Sequence, residues 1–304
     1  WRAAVFLLVE LCLGCLRPDV IALSAGVSAC EKGLVWRRAA RLLGGMRRVE
    51  LRPGAVAYNA AASACEKCWE WGNALGLLDE LCQRYLRPSV VSYNAAASAS
   101  EKCHQWLQAL ALLEQLGRIR LQPDVITYSS AVSACEKCQK WDRALALLDR
   151  LRRDRLVPDV VLLSAAASAC QKGGRRGEAL GLLGEARARA LRADTVIYNA
   201  AISAHERDGC WQGALQLFRE MASRRLKLTV VTYGAVIGAC GRGGRPALAL
   251  QLVGELYSGH LLPDAVVCDT AVGACEVCGL PRHALRFLHE LQVTAGLISR
   301  AIRK

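Results

Sequence analysis

The chain has 304 residues, 53% of them apolar but only 6% aromatic, which excludes a bulky aromatic interior and favours closely packed helices of Ala, Leu, Val and Cys. Forty Lys and Arg against 27 Asp and Glu leave a net charge of +13, which suits a polyanionic partner such as nucleic acid or an anionic membrane surface. Fifteen Cys in a chain this long and apolar point to a reducing intracellular compartment rather than a disulfide-stapled secreted fold.

In chain order, the first apolar stretch runs from Ala3 to Leu16, but Glu10 breaks it and it falls short of the roughly 18 residues that a membrane span needs. No membrane association is expected. Residues 1–19 are instead the second half of a repeating unit, because Trp1 falls where Trp36, Trp71, Trp106, Trp141 and Trp211 fall in theirs. That partial unit supplies only a second helix. An opening in the middle of a unit argues against a signal peptide and implies an array that continues upstream.

The phrases Tyr58-Asn59-Ala60-Ala61, Tyr93-Asn94-Ala95-Ala96, Tyr128-Ser129-Ser130-Ala131 and Tyr198-Asn199-Ala200-Ala201 recur in a strict 35-residue phase. Eight units follow without insertion, at 20–54, 55–89, 90–124, 125–159, 160–194, 195–229, 230–264 and 265–299, with a basic tail at 300–304. In each, apolar residues recur at helical intervals over about thirteen positions, pass through a short turn, and resume as a second run such as Ala144-Leu145-Ala146-Leu147-Leu148. Each unit is therefore a helical hairpin. The second run is expected to stop before Leu-x-Pro-Asp, since Pro cannot continue a helix and Asp caps the next one. One hairpin cannot bury its apolar face alone, so the expected fold is an all-α solenoid, a superhelix of stacked helix-turn-helix repeats.

Steps of three and four residues along the first helix trace one face through positions two, five, nine and thirteen of the unit. Position two is always aliphatic: Ile21, Val56, Val91, Ile126, Val161, Val196, Val231 and Val266. Position five is mostly a small hydrogen-bonding residue, as in Ser24, Asn59, Asn94, Ser129, Ser164 and Asn199. Position nine is Ser or Gly throughout, which implies a groove with room for something to approach. Position thirteen is basic in seven of eight units, at Lys32, Lys67, Lys102, Lys137, Lys172, Arg207 and Arg242, with Val277 the exception. One cation and one hydrogen-bonding group per step suit single-stranded nucleic acid, with the aliphatic residue stacking on a base, the Asn or Ser reading its edge and the cation meeting its phosphate. A bland reading stands beside it: Lys near a helix C-terminus suits the macrodipole, and Ser or Asn early in a helix can simply cap it.

Cys65-x-x-Cys68, Cys135-x-x-Cys138 and Cys275-x-x-Cys278 have a spacing used for zinc or redox chemistry. Their eleventh-position members share a phase with Cys30, Cys170 and Cys240 on the face opposite the groove, where Cys acts as a small apolar residue. No metal and no cofactor is expected. His104, His205, His260, His283 and His289 are dispersed, His205 standing in for a packing Cys, and nothing resembles a catalytic constellation.

The 35-residue period, Val-Val-x-Tyr-Asn opening the first helix, Ala-Leu-x-Leu-Leu in the second and Leu-x-Pro-Asp closing the unit resemble the pentatricopeptide repeat family over nearly the whole chain. Tetratricopeptide repeats run at 34 residues with another signature. The resemblance implies a monomeric, non-enzymatic reader of single-stranded RNA, one base per repeat, acting in mitochondria or chloroplasts in RNA processing, stability or translation. It also implies that the fifth and last residues of a unit choose the base together. On that basis Asn59 with Ser89 implies C, Asn94 with Asp124 implies U, Ser129 with Asp159 and Ser164 with Asp194 each imply G, and Asn199 with Thr229 implies a pyrimidine, giving 5′-C-U-G-G-Y. Ser24 with Gly54, Gly234 with Asp264, and Asp269 with Ser299 depart from the pattern. The alternatives are a scaffold holding an acidic peptide or protein partner, and a targeting array for a larger RNA-processing enzyme.

Overall fold

The computed structural model describes residues 1–13, 19–84, 86–259 and 261–277. The second half of the last unit, with Cys278, His283, His289, Ser299 and the tail at 300–304, lies outside the described residues, as does His260. All regular structure among the described residues is helical. After α1 (Arg2–Leu13) come hairpins α2 (Val20–Lys32) with α3 (Trp36–Arg48), α4 (Ala55–Lys67) with α5 (Trp71–Gln83), α6 (Val90–Lys102) with α7 (Trp106–Arg118), and α8 (Val125–Lys137) with α9 (Trp141–Arg153). They continue as α10 (Val160–Lys172) with α11 (Arg176–Ala188), α12 (Thr195–Arg207) with α13 (Trp211–Ser223), and α14 (Val230–Arg242) with α15 (Pro246–Ser258), then α16 (Ala265–Val277). None of these helices is long and apolar enough to cross a membrane.

The residue closing each unit starts the next helix. Asp19, Asp124, Asp159, Asp194 and Asp264 accept the backbone N–H three residues on, at 2.7 to 3.0 Å, and Thr229 does the same at 3.3 Å. Each satisfies a donor that the first turn leaves orphaned, worth about 1 kcal/mol.

The second helices end before Leu-x-Pro-Asp as the sequence leads one to expect, but not for the expected reason. The second helices stop at Arg48, Arg118 and Arg153, a full turn before Pro53, Pro123 and Pro158, so proline is not what ends them. A left-handed residue does: Glu50, Arg120, Arg155, Ala190 and Arg225 have φ of 54° to 59°. The next N–H then bonds back to the helix, as from Leu51 to the Met46 carbonyl (2.9 Å) and from Leu121 to Leu116 (3.0 Å). This Schellman closure recurs between the two helices of each hairpin, where Leu34, Trp69, His104, Gln139, Gly174, Gly209 and Gly244 are left-handed.

The chain forms two compact units, 1–162 and 163–304. In the first, α2, α4, α6 and α8 pack in succession, and α3, α5 and α7 each lie against their own first helix and the next. In the second, α12, α14 and α16 follow one another, α13 and α15 are placed likewise, and α11 lies against α12. Second helices do not approach one another as closely, because first helices present Ala and Ser at their contacts whereas second helices present Leu and Arg. Each unit is a stack of hairpins, the α-solenoid arrangement.

The core follows the same periodicity. Cys30, Cys65, Cys135, Cys170, Cys240 and Cys275 are buried, as are the position-four rings of Tyr58, Tyr128 and Tyr198. The Tyr hydroxyls leave the core by donating to Glu80 (3.0 Å) and Glu220 (2.8 Å) on the second helix and to Asp154 (2.5 Å), which caps its end. His205, where other units carry Cys, fits because Gly213 lies against it: a Cβ there would come within 2.4 Å of the imidazole. Burial, aided by the charge of Arg176, lowers the His205 pKa and keeps the ring neutral.

Candidate functional site

Position two of each first helix points into water. Ile21, Val56, Val91, Ile126, Val161, Val196, Val231 and Val266 are between 50% and 78% exposed, although identical residue types elsewhere on these helices are buried. Beside them lie the fifth and closing residues.

The structure joins the members of two predicted reading pairs directly. Asn94 Nδ2 donates to both carboxylate oxygens of Asp124, at 3.1 and 2.9 Å, and the Ser164 hydroxyl donates to Asp194 at 2.8 Å. Asn59 and Asn199 reach Ser89 and Thr229 through an intermediate hydroxyl. Ser92 donates to Asn59 Oδ1 (2.6 Å) and lies 3.3 Å from Ser89 Oγ, while Thr232 donates to Asn199 Oδ1 (2.7 Å) and lies 3.0 Å from Thr229 Oγ1. The remaining serines differ: Ser24 donates to its own helix at Val20 O (2.6 Å), and Ser129 Oγ is enclosed with no hydrogen-bond partner. Asp159 and Asp264 are engaged as caps.

The rank of cations has partners that sequence reasoning did not see. Lys67 donates to Glu31 (2.9 Å), Lys102 to Glu66 (3.0 Å), Lys137 to Glu101 (3.2 Å), and Arg242 to Glu206, in each case position twelve of the preceding unit. Burial raises the Glu206 pKa, and the Arg242 guanidinium opposes that shift. Arg207 differs because Gln171 occupies the glutamate's place; it donates to the Lys172 carbonyl, at 3.4 Å. Lys32 has no carboxylate partner among the described residues. Val277 follows a unit with Gly241 at position twelve, so both halves of the pair are missing together.

At three units the small residue of position nine lies against a glutamate of the unit before it. Ser63 and Ser98 donate to the same carboxylates, Glu31 and Glu66, at 2.9 Å each, and a Cβ on Gly238 would lie 2.5 Å from the Glu206 carboxylate. At these three positions the neighbouring glutamate takes up the room. The available signal was the Glu-Lys dipeptide repeated in phase. Nothing in one sequence told that each Glu meets the Lys of the following unit, 36 residues on.

The Cys-x-x-Cys pairs are packing and linking groups. Burial pushes the Cys65 and Cys135 thiols up to about 12, so they remain protonated. Cys68, Cys103 and Cys138 donate to the carbonyls of Leu34, Trp69 and His104 in the preceding unit, at 3.2, 3.0 and 3.2 Å. No group of three or more metal-ligating side chains occurs among the described residues.

Family models match three segments: one described as the PPR repeat family at residues 193–242, one as a pentatricopeptide repeat domain at 111–172, and one as a PPR repeat at 231–258. Among solved structures, the pentatricopeptide repeat protein PPR10 from maize is similar with a TM-score of 0.76 at 19% identity, over 96% of this chain and 41% of that one. PPR10 in complex with an 18-nt psaJ RNA element is similar with a TM-score of 0.71 at 18% identity, over 96% of this chain and 47% of that one. The PPR domain of Arabidopsis thaliana protein-only RNase P 1, in complex with tRNA, gives 0.52 at 15% identity, over 58% of this chain and 92% of that one. The chain thus spans less than half the length of the PPR10 chains it matches. No curated protein matches its sequence.

Proposed function

Because the chain is a pentatricopeptide repeat protein, we propose that it binds single-stranded RNA along its first helices, one base per repeat. The observation that carries this reading is the set of exposed aliphatic side chains at position two, Ile21, Val56, Val91, Ile126 and Val161 in one unit and Val196 and Val231 in the other. Each is held in water at a hydrophobic cost, and Val56, Val91, Val161 and Val196 share a unit with Asn59, Asn94, Ser164 and Asn199, whose polar groups can reach a base edge. The flat face of a base would cover such a side chain. PPR10 in complex with an RNA element lends support through a shared fold.

The pairs assign C, U and G to Asn59 with Ser89, Asn94 with Asp124 and Ser129 with Asp159, then G and a pyrimidine to Ser164 with Asp194 and Asn199 with Thr229. Lys32, Lys67, Lys102, Lys137, Lys172, Arg207 and Arg242 are the phosphate contacts in this reading. The protein acts by occupancy, masking a site or blocking exonucleases in organellar RNA processing, stability or translation.

The test equilibrates the purified chain with randomised single-stranded RNA, with matched DNA as control, and sequences what is retained. Enrichment of C-U-G-G-Y, lost when Asn94 and Asp124 are changed together in a folded variant, is the expected result. RNA retained without enrichment discards the base assignment, and no retention at low salt discards the RNA reading. Seven phosphate contacts would give a log–log salt slope of about −5, and every cation that stays with its glutamate reduces that by about 0.7.

A further inference from the structure

We propose that the third residue of a repeat sets the orientation of the base-reading amide in the repeat before it. Ser92, Thr127 and Thr232 hold the Oδ1 of Asn59, Asn94 and Asn199 at 2.6, 2.5 and 2.7 Å. These hydroxyls are at most 2% exposed and sit beneath the reading face. Their oxygens are themselves engaged, accepting the backbone N–H of Ser89, Asp124 and Thr229 at 3.2 to 3.4 Å. A hydroxyl already accepting from a cap N–H is best completed by donating its one proton, and although the Asp124 carboxylate also lies 2.9 Å from Thr127 Oγ1, the amide oxygen of Asn94 is the nearer acceptor at 2.5 Å. It therefore selects the carbonyl end of the amide and turns Nδ2 the other way, toward the closing residue, as at Asn94, where Nδ2 meets the Asp124 carboxylate at 3.1 and 2.9 Å.

The repeats of this chain vary together in the way such a device requires. All three Asn at position five precede a repeat with a hydroxyl at position three. Ser129 precedes Leu162 and Ser164 precedes Ile197, both buried aliphatics. Ser24 precedes Ala57, and Gly234 precedes Val267. A serine can rotate its own proton and needs no external lock, whereas an amide has two chemically opposite ends and does. With Nδ2 so placed, the repeat offers a donor to the O2 carbonyl that cytosine and uracil share, leaving the closing residue to separate them.

This inference rests on the RNA reading, and one set of variants tells the two apart. Thr127→Val removes the hydroxyl at constant shape and Thr127→Ser keeps it; Ser92→Ala repeats the experiment in another repeat should Thr127→Val not fold. Binding is measured to short single-stranded RNAs carrying C-U-G-G-U, with the U opposite Asn94 replaced by each other base. The wild type is expected to prefer a pyrimidine there. Thr127→Val should lower that preference about fivefold, the worth of one hydrogen bond of ordinary strength, with the other positions unchanged and Thr127→Ser like wild type. Full preference in Thr127→Val, or no preference at that position in wild type that still binds RNA, overturns the positioning role alone. No RNA binding by wild type overturns both.

Discussion

Glu66 accepts from Ser98 at 2.9 Å and from Lys102 at 3.0 Å, so one carboxylate holds two groups of the predicted RNA face. Both ends of the ion pair keep water contact, at 31% and 20% exposure, so the pair contributes at most about 1 kcal/mol to stability. Its larger effect is on the field, since a neutralised Lys102 attracts a phosphate less strongly. Glu66→Gln is therefore expected to raise RNA affinity at low salt and steepen the salt slope by about 0.7, measured by fluorescence anisotropy across a salt series. Arg207, beside Gln171 rather than Glu, already has that freedom. Arg207→Gln should weaken binding more than Lys102→Gln; equal losses would mean that the glutamates release their cations to RNA without cost.

At the scale of elements, the hairpin turn is held by backbone geometry more than by side-chain choice. Leu34, Trp69, His104 and Gln139 adopt a left-handed conformation at the turn position that Gly174, Gly209 and Gly244 fill later in the chain. A side chain there costs roughly 1–2 kcal/mol relative to glycine, partly offset by the greater freedom that glycine has in the unfolded chain. Gln139 is exposed, so little packing is lost with it. Gln139→Gly should raise stability by about 0.5 kcal/mol, and Gly244→Ala, whose added Cβ would meet nothing within 4 Å, should lower it by about 1 kcal/mol in urea denaturation. The same turns explain why the helices end before proline. Pro53 and Pro123 instead fix the extended entry to the next cap, where Gly54 and Asp124 have ψ of 171° and 177°.

Across the whole molecule, both units bury thiols in first helices. Burial pushes Cys65 and Cys135 up to about 12, and Cys170 and Cys240 up to about 11, from an ordinary 9.0. A folded-state value above the unfolded one means that the unfolded chain ionises first. The contribution is complete below pH 9 and is lost as pH rises from there through 11 to 12. Urea midpoints should thus fall above pH 9, each thiol contributing a slope of at most about 1.4 kcal/mol per pH unit. Cys65→Ala with Cys135→Ala should flatten that limb, and an unchanged limb in the double variant would assign it to other groups.

The fold was legible in the sequence because its determinants are local or strictly periodic. Apolar spacing places the helices, Asp19 or Asp124 marks a helix start within its own few residues, and the phase of Tyr58 and Cys65 assigns the buried face. The exposed set at position two was also legible, since position along a helix decides which way a side chain points. The tertiary structure alone decided who meets whom. Asn59 with Ser92, Asn94 with Thr127 and Lys102 with Glu66 are each 33 to 36 residues apart, so every pair joins adjacent hairpins. A repeat alignment puts such partners in different columns without saying that they touch. Their contact depends on how closely one Ala-rich helix stacks on the next, and that distance is fixed by packing in three dimensions.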